Sequence, residues 1–444
     1  MGLSIIILAA GRGSRMKSSL PKVLHKIAGK ELINHVRDTA LELLPKEVII
    51  TISHEAENVR TTSFIENVKY AYQKQQLGTG DAVKSAMNEV SNSSNYVLIL
   101  YGDTPLIKAS TLQELYSETV KSQSLITLFG FNTSNPSGYG RLVTKDNIVE
   151  RIVESKDATP EELNINICNS GIMLVETNLL RKLLSQITNT NAQGEYYLTD
   201  IVKLAKDQNI NSFYFLIDEA EVQGVNSRYQ LSIAENIYQE RLRNKFMDEG
   251  VTLIDPKTVT FSYDTIIAND VTIYPHVVFG KKVTIETNVE IKSFSHIEGA
   301  YIKSNTIIGP FARIRPDTTI EENAVIGNFV EIKNSNIGTA TKINHLSYIG
   351  DTDIGIKSNI GAGVITCNYD GFKKSKTIIG DEVFVGSNSA LLAPLTIESN
   401  SIIAAGSIIN KDIPQNSIAI SRADLKILKD KANNFRSKNL KKNE

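Results

Sequence analysis

Three groups of residues in this chain have the types and spacing to do chemistry. The first is Leu8-Ala9-Ala10-Gly11-Arg12-Gly13-Ser14-Arg15-Met16, followed by Leu20-Pro21-Lys22. Two glycines after an apolar run let backbone N–H groups approach phosphate oxygens closely, and Arg15 and Lys22 would neutralise a polyphosphate. Met16 stands where a dinucleotide fingerprint needs its third glycine, and no GK[ST] follows, so the loop alone equally suits a structural turn. The second group is Asp103, which closes the apolar run Tyr96–Leu100 in Tyr101-Gly102-Asp103-Thr104-Pro105. Its carboxylate suits Mg²⁺, and a helix N-cap is the alternative. The third is His345, in Lys342-Ile343-Asn344-His345-Leu346-Ser347-Tyr348. An imidazole titrates near pH 6.5 and can take a proton from an attacking amine.

The elements that must position these groups fall into two regimes. Up to about Gln223, short β-rich runs (Ser4–Ala9, Glu47–Thr51, Val68–Tyr72, Tyr96–Leu100, Leu125–Phe131) alternate with helical spacing over Leu32–Leu44, Gly80–Val90 and Ser110–Ser122. That alternation predicts an α/β domain with a mostly parallel sheet covered on both faces, whose ligands sit at the carboxyl ends of the strands. From Ser227 to Glu249 one helix follows, with Leu231, Ala234, Ile237, Tyr238, Leu242 and Phe246 on one stripe and Gly250 at its end. The expected division is 1–224, a linker helix over 225–249, and 250–444.

Beyond the helix, apolar residues recur every six positions. Ile273, Phe279, Ile285, Ile291 and Ile297 are followed, after a one-residue slip, by Ile302, Ile308, Ile314, Ile320, Ile326 and Ile332. Ile337, Ile343, Ile349, Ile354 and Ile360 continue, and Ile379, Val385, Leu391, Ile397, Ile403 and Ile409 resume the register. Period six fits neither a helix nor a hairpin array. It predicts stacked coils that bury an aliphatic column, a parallel β-helix. The break at Cys367–Thr377 should loop out of a coil, where sites are often carried.

Bulk composition excludes several classes. Lys+Arg 48 against Asp+Glu 49 gives a net charge of −1, so no basic field points to nucleic acid, and Lys426–Lys442 reads as a solvated tail. Two cysteines, Cys168 and Cys367, build neither a disulfide framework nor a metal cluster and fit a reducing cytoplasm. Leu3–Ala10 lacks a basic n-region and reads as a buried strand rather than a signal. No apolar run approaches the roughly 20 residues that span a bilayer. His276 and His296 read as structural or surface residues.

The first string as a whole resembles the nucleotidyltransferase signature of sugar-nucleotide pyrophosphorylases, L-A-A-G-x-G-[ST]-R-M followed by P-K. Gln73, Gln76-Leu77-Gly78-Thr79-Gly80, Tyr101-Gly102-Asp103-Thr104-Pro105-Leu106, Gly138-Tyr139-Gly140-Arg141, Ile152-Val153-Glu154, Asn169-Ser170-Gly171 and Gly224-Val225-Asn226 follow in the same order. With the hexads, nearly the whole chain resembles the family of bifunctional N-acetylglucosamine-1-phosphate uridylyltransferase/glucosamine-1-phosphate acetyltransferases.

The resemblance implies a Rossmann-like nucleotidyltransferase domain and a left-handed β-helix. It implies a cytoplasmic homotrimer acting on UTP, N-acetylglucosamine-1-phosphate, glucosamine-1-phosphate and acetyl-CoA, to make a precursor of peptidoglycan and lipopolysaccharide. Asp103 and Asn226 would hold Mg²⁺. Leu8, Ala9, Ala10, Gly11, Arg15, Lys22, Tyr101 and Gly102 would face the nucleotide, with Gln73, Gly78 and Thr79 on the uracil and Gly140, Glu154 and Asn169 on the sugar. In the second site His345 would be the base, with Glu331 orienting it. Arg315, Lys333, Tyr348, Asn359 and Lys374 would bind the amino-sugar phosphate; Ala362, Asn368, Tyr369, Ser387, Ala405 and Arg422 would bind acetyl-CoA. Past Ser421-Arg422 there is only a short basic tail, a departure that puts in doubt any family contact made by a longer C-terminus.

Two other readings share these folds. In one the β-helix is regulatory, as in glucose-1-phosphate adenylyltransferase-like proteins; His345 with the Asn368-Tyr369 loop argues against it. In the other the chain is an assembly subunit, against which Gly11-Arg12-Gly13, Lys22 and Asp103 argue.

Overall fold

The computed structural model describes residues 2–11, 13–53, 57–66 and 68–440. Arg12 of the glycine turn and Lys441 and Lys442 of the tail lie outside the described residues. The chain forms two compact units, 1–241 and 242–444.

In the first unit, strands β1 (Leu3–Leu8), β2 (Glu47–Ser53), β3 (Val68–Gln73), β4 (Tyr96–Tyr101), β5 (Ile126–Asn132), β6 (Arg141–Lys145), β7 (Ile148–Val153), β8 (Ile167–Glu176) and β9 (Ser212–Leu216) form one sheet. Its order, among the described residues, is β3-β2-β1-β4-β8-β5-β9-β7-β6. The run Leu3, Ile5, Ile7 buries on one face and Ile6 on the other, which is why β1 reads as a continuous apolar strand. The β3-β2-β1-β4 half is parallel as expected. The other half is mostly not: β5 and β9 pair parallel, but β8 runs antiparallel to β4 and β5, β9 antiparallel to β7, and the β6–β7 hairpin is antiparallel. The sheet is therefore mixed. The hairpin turns at Asp146-Asn147, both in the left-handed conformation.

The helix Arg228–Asp248 carries the boundary between the units. What the sequence shows as one apolar stripe is shared. Leu231, Ala234, Ile237 and Tyr238 pack with Met16, Ile27, Leu32 and Leu106 in the first unit, whereas Leu242 and Phe246 join the core of the second.

His35, on the helix Leu32–Glu42, is buried in the first unit, bonded through Nε2 to the Ile27 carbonyl at 3.1 Å and edge-on to Tyr238. Burial pushes it down from 6.5 to about 4, the Ile27 bond opposing. The fold therefore holds it neutral, while the unfolded chain takes up a proton below pH 6.5. Stability is fully present above 6.5 and falls as pH drops toward 4. Between pH 7.5 and 5 this residue should cost about 2 kcal/mol. Hydrogen exchange in the Leu32–Glu42 helix should show wild type losing that much more protection on acidification than His35→Leu. Equal losses would contradict the assignment.

In the second unit three parallel sheets form the sides of a β-helix. They run from Thr252–Leu253 to Ile418–Ala419, from Ile266–Ile267 to Leu395–Ile397, and from Val278–Phe279 to Ile408–Ile409. Successive hexads lie on successive sides, so three make a coil. Ile273, Ile291, Ile308, Ile326, Ile343 and Ile360 thus stack in register down one side. Each is at most 2% exposed, which is what the six-residue repeat requires. The segment after Ile365–Cys367 leaves the coil and returns at Thr377–Ile379, closed by a bridge between Tyr369 and Lys374. At one corner His276, Phe294, Phe311 and Phe329 stack 4.9–5.1 Å apart.

Candidate functional site

Strands β1 and β4 are parallel neighbours, Leu8 opposite Tyr101, so the glycine turn and Asp103 leave the sheet side by side at its carboxyl edge. Gly13 adopts φ 63°, and a Cβ there would lie 2.5 Å from that of Lys22, so the turn can close over the lysine only with glycine at this position. Lys22 forms an ion pair with Asp103 and donates to Asn226 Oδ1 at 2.9 Å. A carboxylate and an amide oxygen thus converge on one cation. Among the described residues Asp103 caps no helix: the helix Ala109–Lys121 starts after Lys108.

These residues line a cleft of about 1300 Å³, together with Leu8, Ala9, Ala10, Gly11 and Arg15. Gln73, Gly78, Thr79, Tyr101 and Glu154 complete its predicted lining. Gln73 donates to the Gly78 carbonyl and to Asp81, and Gln76 ties the opposite lip to the Ala10 carbonyl at 2.6 Å. Burial, reinforced by Asp157, Asp200 and Glu195, pushes the Glu154 carboxyl up despite a hydrogen bond from Thr199. Burial, with Glu154 and Asp103 nearby, likewise raises the Tyr101 hydroxyl.

Three predicted residues are not in the lining. Gly102 donates to the Leu8 carbonyl, and the Asn169 N–H donates to the Gly140 carbonyl, joining those two. The lining also includes Gln193 and Glu195, which sequence reasoning missed because their segment matches no motif quoted above.

In the second unit the register places several predicted residues in one column. Lys342, Asn359, Phe384 and Ile402 are consecutive partners, so the residues three further on, His345, Ala362, Ser387 and Ala405, occupy the same corner of successive coils. One coil earlier stands Asn328. The corner bond repeats: the carbonyls of Asn328, His345, Ala362 and Ser387 accept from Leu346, Gly363, Asn388 and Gly406. Arg422 donates to the Ala405 carbonyl at 2.9 Å and closes the column.

On the adjoining side Lys333 pairs with Gly350 and Tyr348 with Glu331. Lys374, on the extruded loop, is pushed below the usual lysine range by the neighbouring Lys333 ammonium. Crowded cations of this kind suit a phosphate dianion. Burial works against the Asp351 carboxylate, but hydrogen bonds from Asn334 and Asn368, with the Lys333 and Lys374 charges, outweigh it and hold its carboxyl low. Asn368 is thereby fixed, while Tyr369 on the same loop is exposed.

The expectation that Glu331 orients His345 is corrected. Glu331 accepts from Arg315 at 2.8 Å, and His345 Nδ1 meets Asn328 Oδ1 at 2.7 Å. His276 stacks on Phe294, and His296 lies on an exposed strand position beside Arg313.

Residues 5–145 match the MobA-like NTP transferase domain, 296–392 the GMPPB C-terminal domain, and 376–411 the bacterial transferase hexapeptide with six repeats. The chain is 45% identical over 436 residues to the bifunctional protein GlmU of Paramagnetospirillum magneticum, covering 98% of this chain and 97% of that one. It is 44% identical to the GlmU of Zymomonas mobilis over 99% of this chain and 98% of the other, and 45% identical to that of Wolbachia pipientis over 94% and 96%. Matches at this level cover nearly the whole chain and so both units, and the chain therefore belongs to the family of the bifunctional protein GlmU.

Proposed function

We propose that the chain makes UDP-N-acetylglucosamine in two steps. The second unit transfers acetyl from acetyl-CoA to glucosamine-1-phosphate. The first transfers uridylyl from UTP to the N-acetylglucosamine-1-phosphate so formed, releasing pyrophosphate. The functional boundaries are near 224 and 249, with the intervening helix as linker. The observation that carries the two-reaction reading is the column of His345, Ala362, Ser387 and Ala405, because a purely regulatory β-helix has no use for a base aligned with a cofactor track.

In the first cleft the work is positioning and charge neutralisation. Asp103 and Asn226 are the Mg²⁺ ligands: their oxygens already meet at one cation, Lys22 Nζ. Two protein ligands suit this ion, which keeps waters and substrate phosphates in its remaining positions. Bound there, Mg²⁺ supplies neutralisation of the phosphates. Lys22 and Arg15 add cationic charge, Gln73, Gly78 and Thr79 hold the uracil, and Gly140, Glu154 and Asn169 hold the sugar. In the second site Arg315, Lys333 and Lys374 bind the sugar phosphate with Tyr348 and Asn359. Asn368, Tyr369 and Arg422 join Ala362, Ser387 and Ala405 on acetyl-CoA. His345 takes the proton from the attacking amine.

The working assembly is a cytoplasmic homotrimer. Supporting it are the corner rings of Phe294, Phe311 and Phe329, which are 45–54% exposed although apolar, a surface that a second copy would cover. Among the described residues no helix is long and apolar enough to cross a membrane.

Given UTP, Mg²⁺, acetyl-CoA and glucosamine-1-phosphate, the full chain should release coenzyme A and pyrophosphate and sediment as three copies. Pyrophosphate from supplied N-acetylglucosamine-1-phosphate without acetylation would favour a regulatory β-helix. Neither product would leave a scaffold, and a monomer would overturn the assembly.

A further inference from the structure

The extended strands Val325–Asn328 and Lys342–His345 are parallel partners, with Asn328 directly opposite His345. Both end where the chain turns a corner through a left-handed residue, Phe329 in one coil and Leu346 in the next. The coils meet closely here. A Cβ on Gly327 would lie 1.9 Å from the Asn344 carbonyl oxygen, and Leu346 N donates to the Asn328 carbonyl at 3.0 Å. The backbone thus fixes the two side chains one above the other, and the Asn328 amide oxygen lies 2.7 Å from His345 Nδ1.

An amide oxygen can only accept, so the imidazole proton is held on Nδ1 and the lone pair stays on Nε2. We propose that Asn328 is a positioning residue for acetyl transfer: it fixes the tautomer and ring angle of His345 so that Nε2 receives the amine proton. This rests on His345 being the base. In the step itself the amine nitrogen bonds to the thioester carbonyl carbon, its proton passes to Nε2, and the carbon–sulfur bond breaks. The coenzyme A thiolate leaves and takes up the proton held on Nε2. Asn328 forms no bond to substrate.

A neutral partner differs from the carboxylate often found behind a catalytic histidine: it orients the ring without adding negative charge. That difference gives the test a signature packing cannot mimic. In the full-length enzyme, Asn328→Leu should lower the acetyl-transfer kcat about tenfold with KM for glucosamine-1-phosphate and acetyl-CoA little changed. Asn328→Asp keeps an acceptor and should restore most of kcat at high pH. It should also move the acid limb of the kcat profile upward by about one unit, because a carboxylate favours the imidazolium. Added to His345→Ala, Asn328→Leu should have no further effect.

Normal kcat in a folded Asn328→Leu, with His345→Ala inactive, would overturn the role of Asn328 alone. Normal kcat in His345→Ala would overturn the base assignment beneath it. An Asn328→Asp profile superimposable on wild type would also count against the proposal, since a packing role moves melting temperature and not the acid limb.

Discussion

Asp103→Ala should lower uridylyl transfer by roughly 10³-fold or more and leave acetyl transfer near the wild-type rate. The substitution removes the anionic member of the pair that converges on Lys22, the other being the Asn226 amide. An amide oxygen alone holds a divalent ion weakly, so the charge that offsets the triphosphate is lost from the transition state. Several kcal/mol of stabilisation is the usual contribution of a bound metal, and each 1.36 kcal/mol is a factor of ten. Lys22 loses its counter-charge too, so binding must be measured apart from rate. Mn²⁺ titration followed by electron spin resonance should show a site in wild type that is weakened in both Asp103→Ala and Asn226→Ala. If Asp103→Ala bound Mn²⁺ as wild type does, or if chelating Mg²⁺ left the wild-type uridylyl rate unchanged, the ligand assignment would fail. Unchanged acetyl transfer matters as much, because it places the two chemistries in separate units.

The β-helix was the most legible part of this fold because its constraint is local. Every sixth residue must enter a narrow aliphatic column, and Ile291, Ile308 and Ile326 are fully buried there. The parallel half of the first sheet was legible for a similar reason, since Leu3–Leu8 and Glu47–Ser53 are apolar enough to be central strands. The mixed half was not. Arg141–Lys145 and Ile148–Val153 form a short, partly polar hairpin, a pattern that competes poorly with loop readings. At the sites, motifs named the candidates but not their pairings. Lys22 and Asn226 lie 204 residues apart, and only the topology reveals that they share a cation position with Asp103. Asn328 shows how far arithmetic alone could have gone. It precedes His345 by 17 residues, about three hexads, and so shares its corner; Glu331, the residue taken to orient the histidine, lies on the next side of the coil, engaged by Arg315.

His345→Ala should depress the acetyl-transfer kcat by roughly 10²–10⁴-fold, the usual contribution of a positioned proton acceptor. The imidazole is exposed, held through Nδ1 by Asn328, and aligned with Ala362, Ser387 and Ala405, where acetyl-CoA is assigned. Acetyl-CoA affinity should therefore change little, because the carbonyls and small residues of that column remain. Uridylyl transfer should be untouched, since its residues lie in the other unit. A structural histidine predicts something else. Were His345 only a corner residue, alanine would lower the melting temperature or break the assembly, and activity would fall in proportion to folded protein. Its exposure makes that outcome physically expensive to explain, because removing a solvent-facing ring costs little packing. Sedimentation and melting on the variant separate the cases, and kcat is then measured on protein shown to be intact. An intact His345→Ala enzyme with near-normal kcat would remove the general base from this site, and the amine would have to lose its proton directly to water.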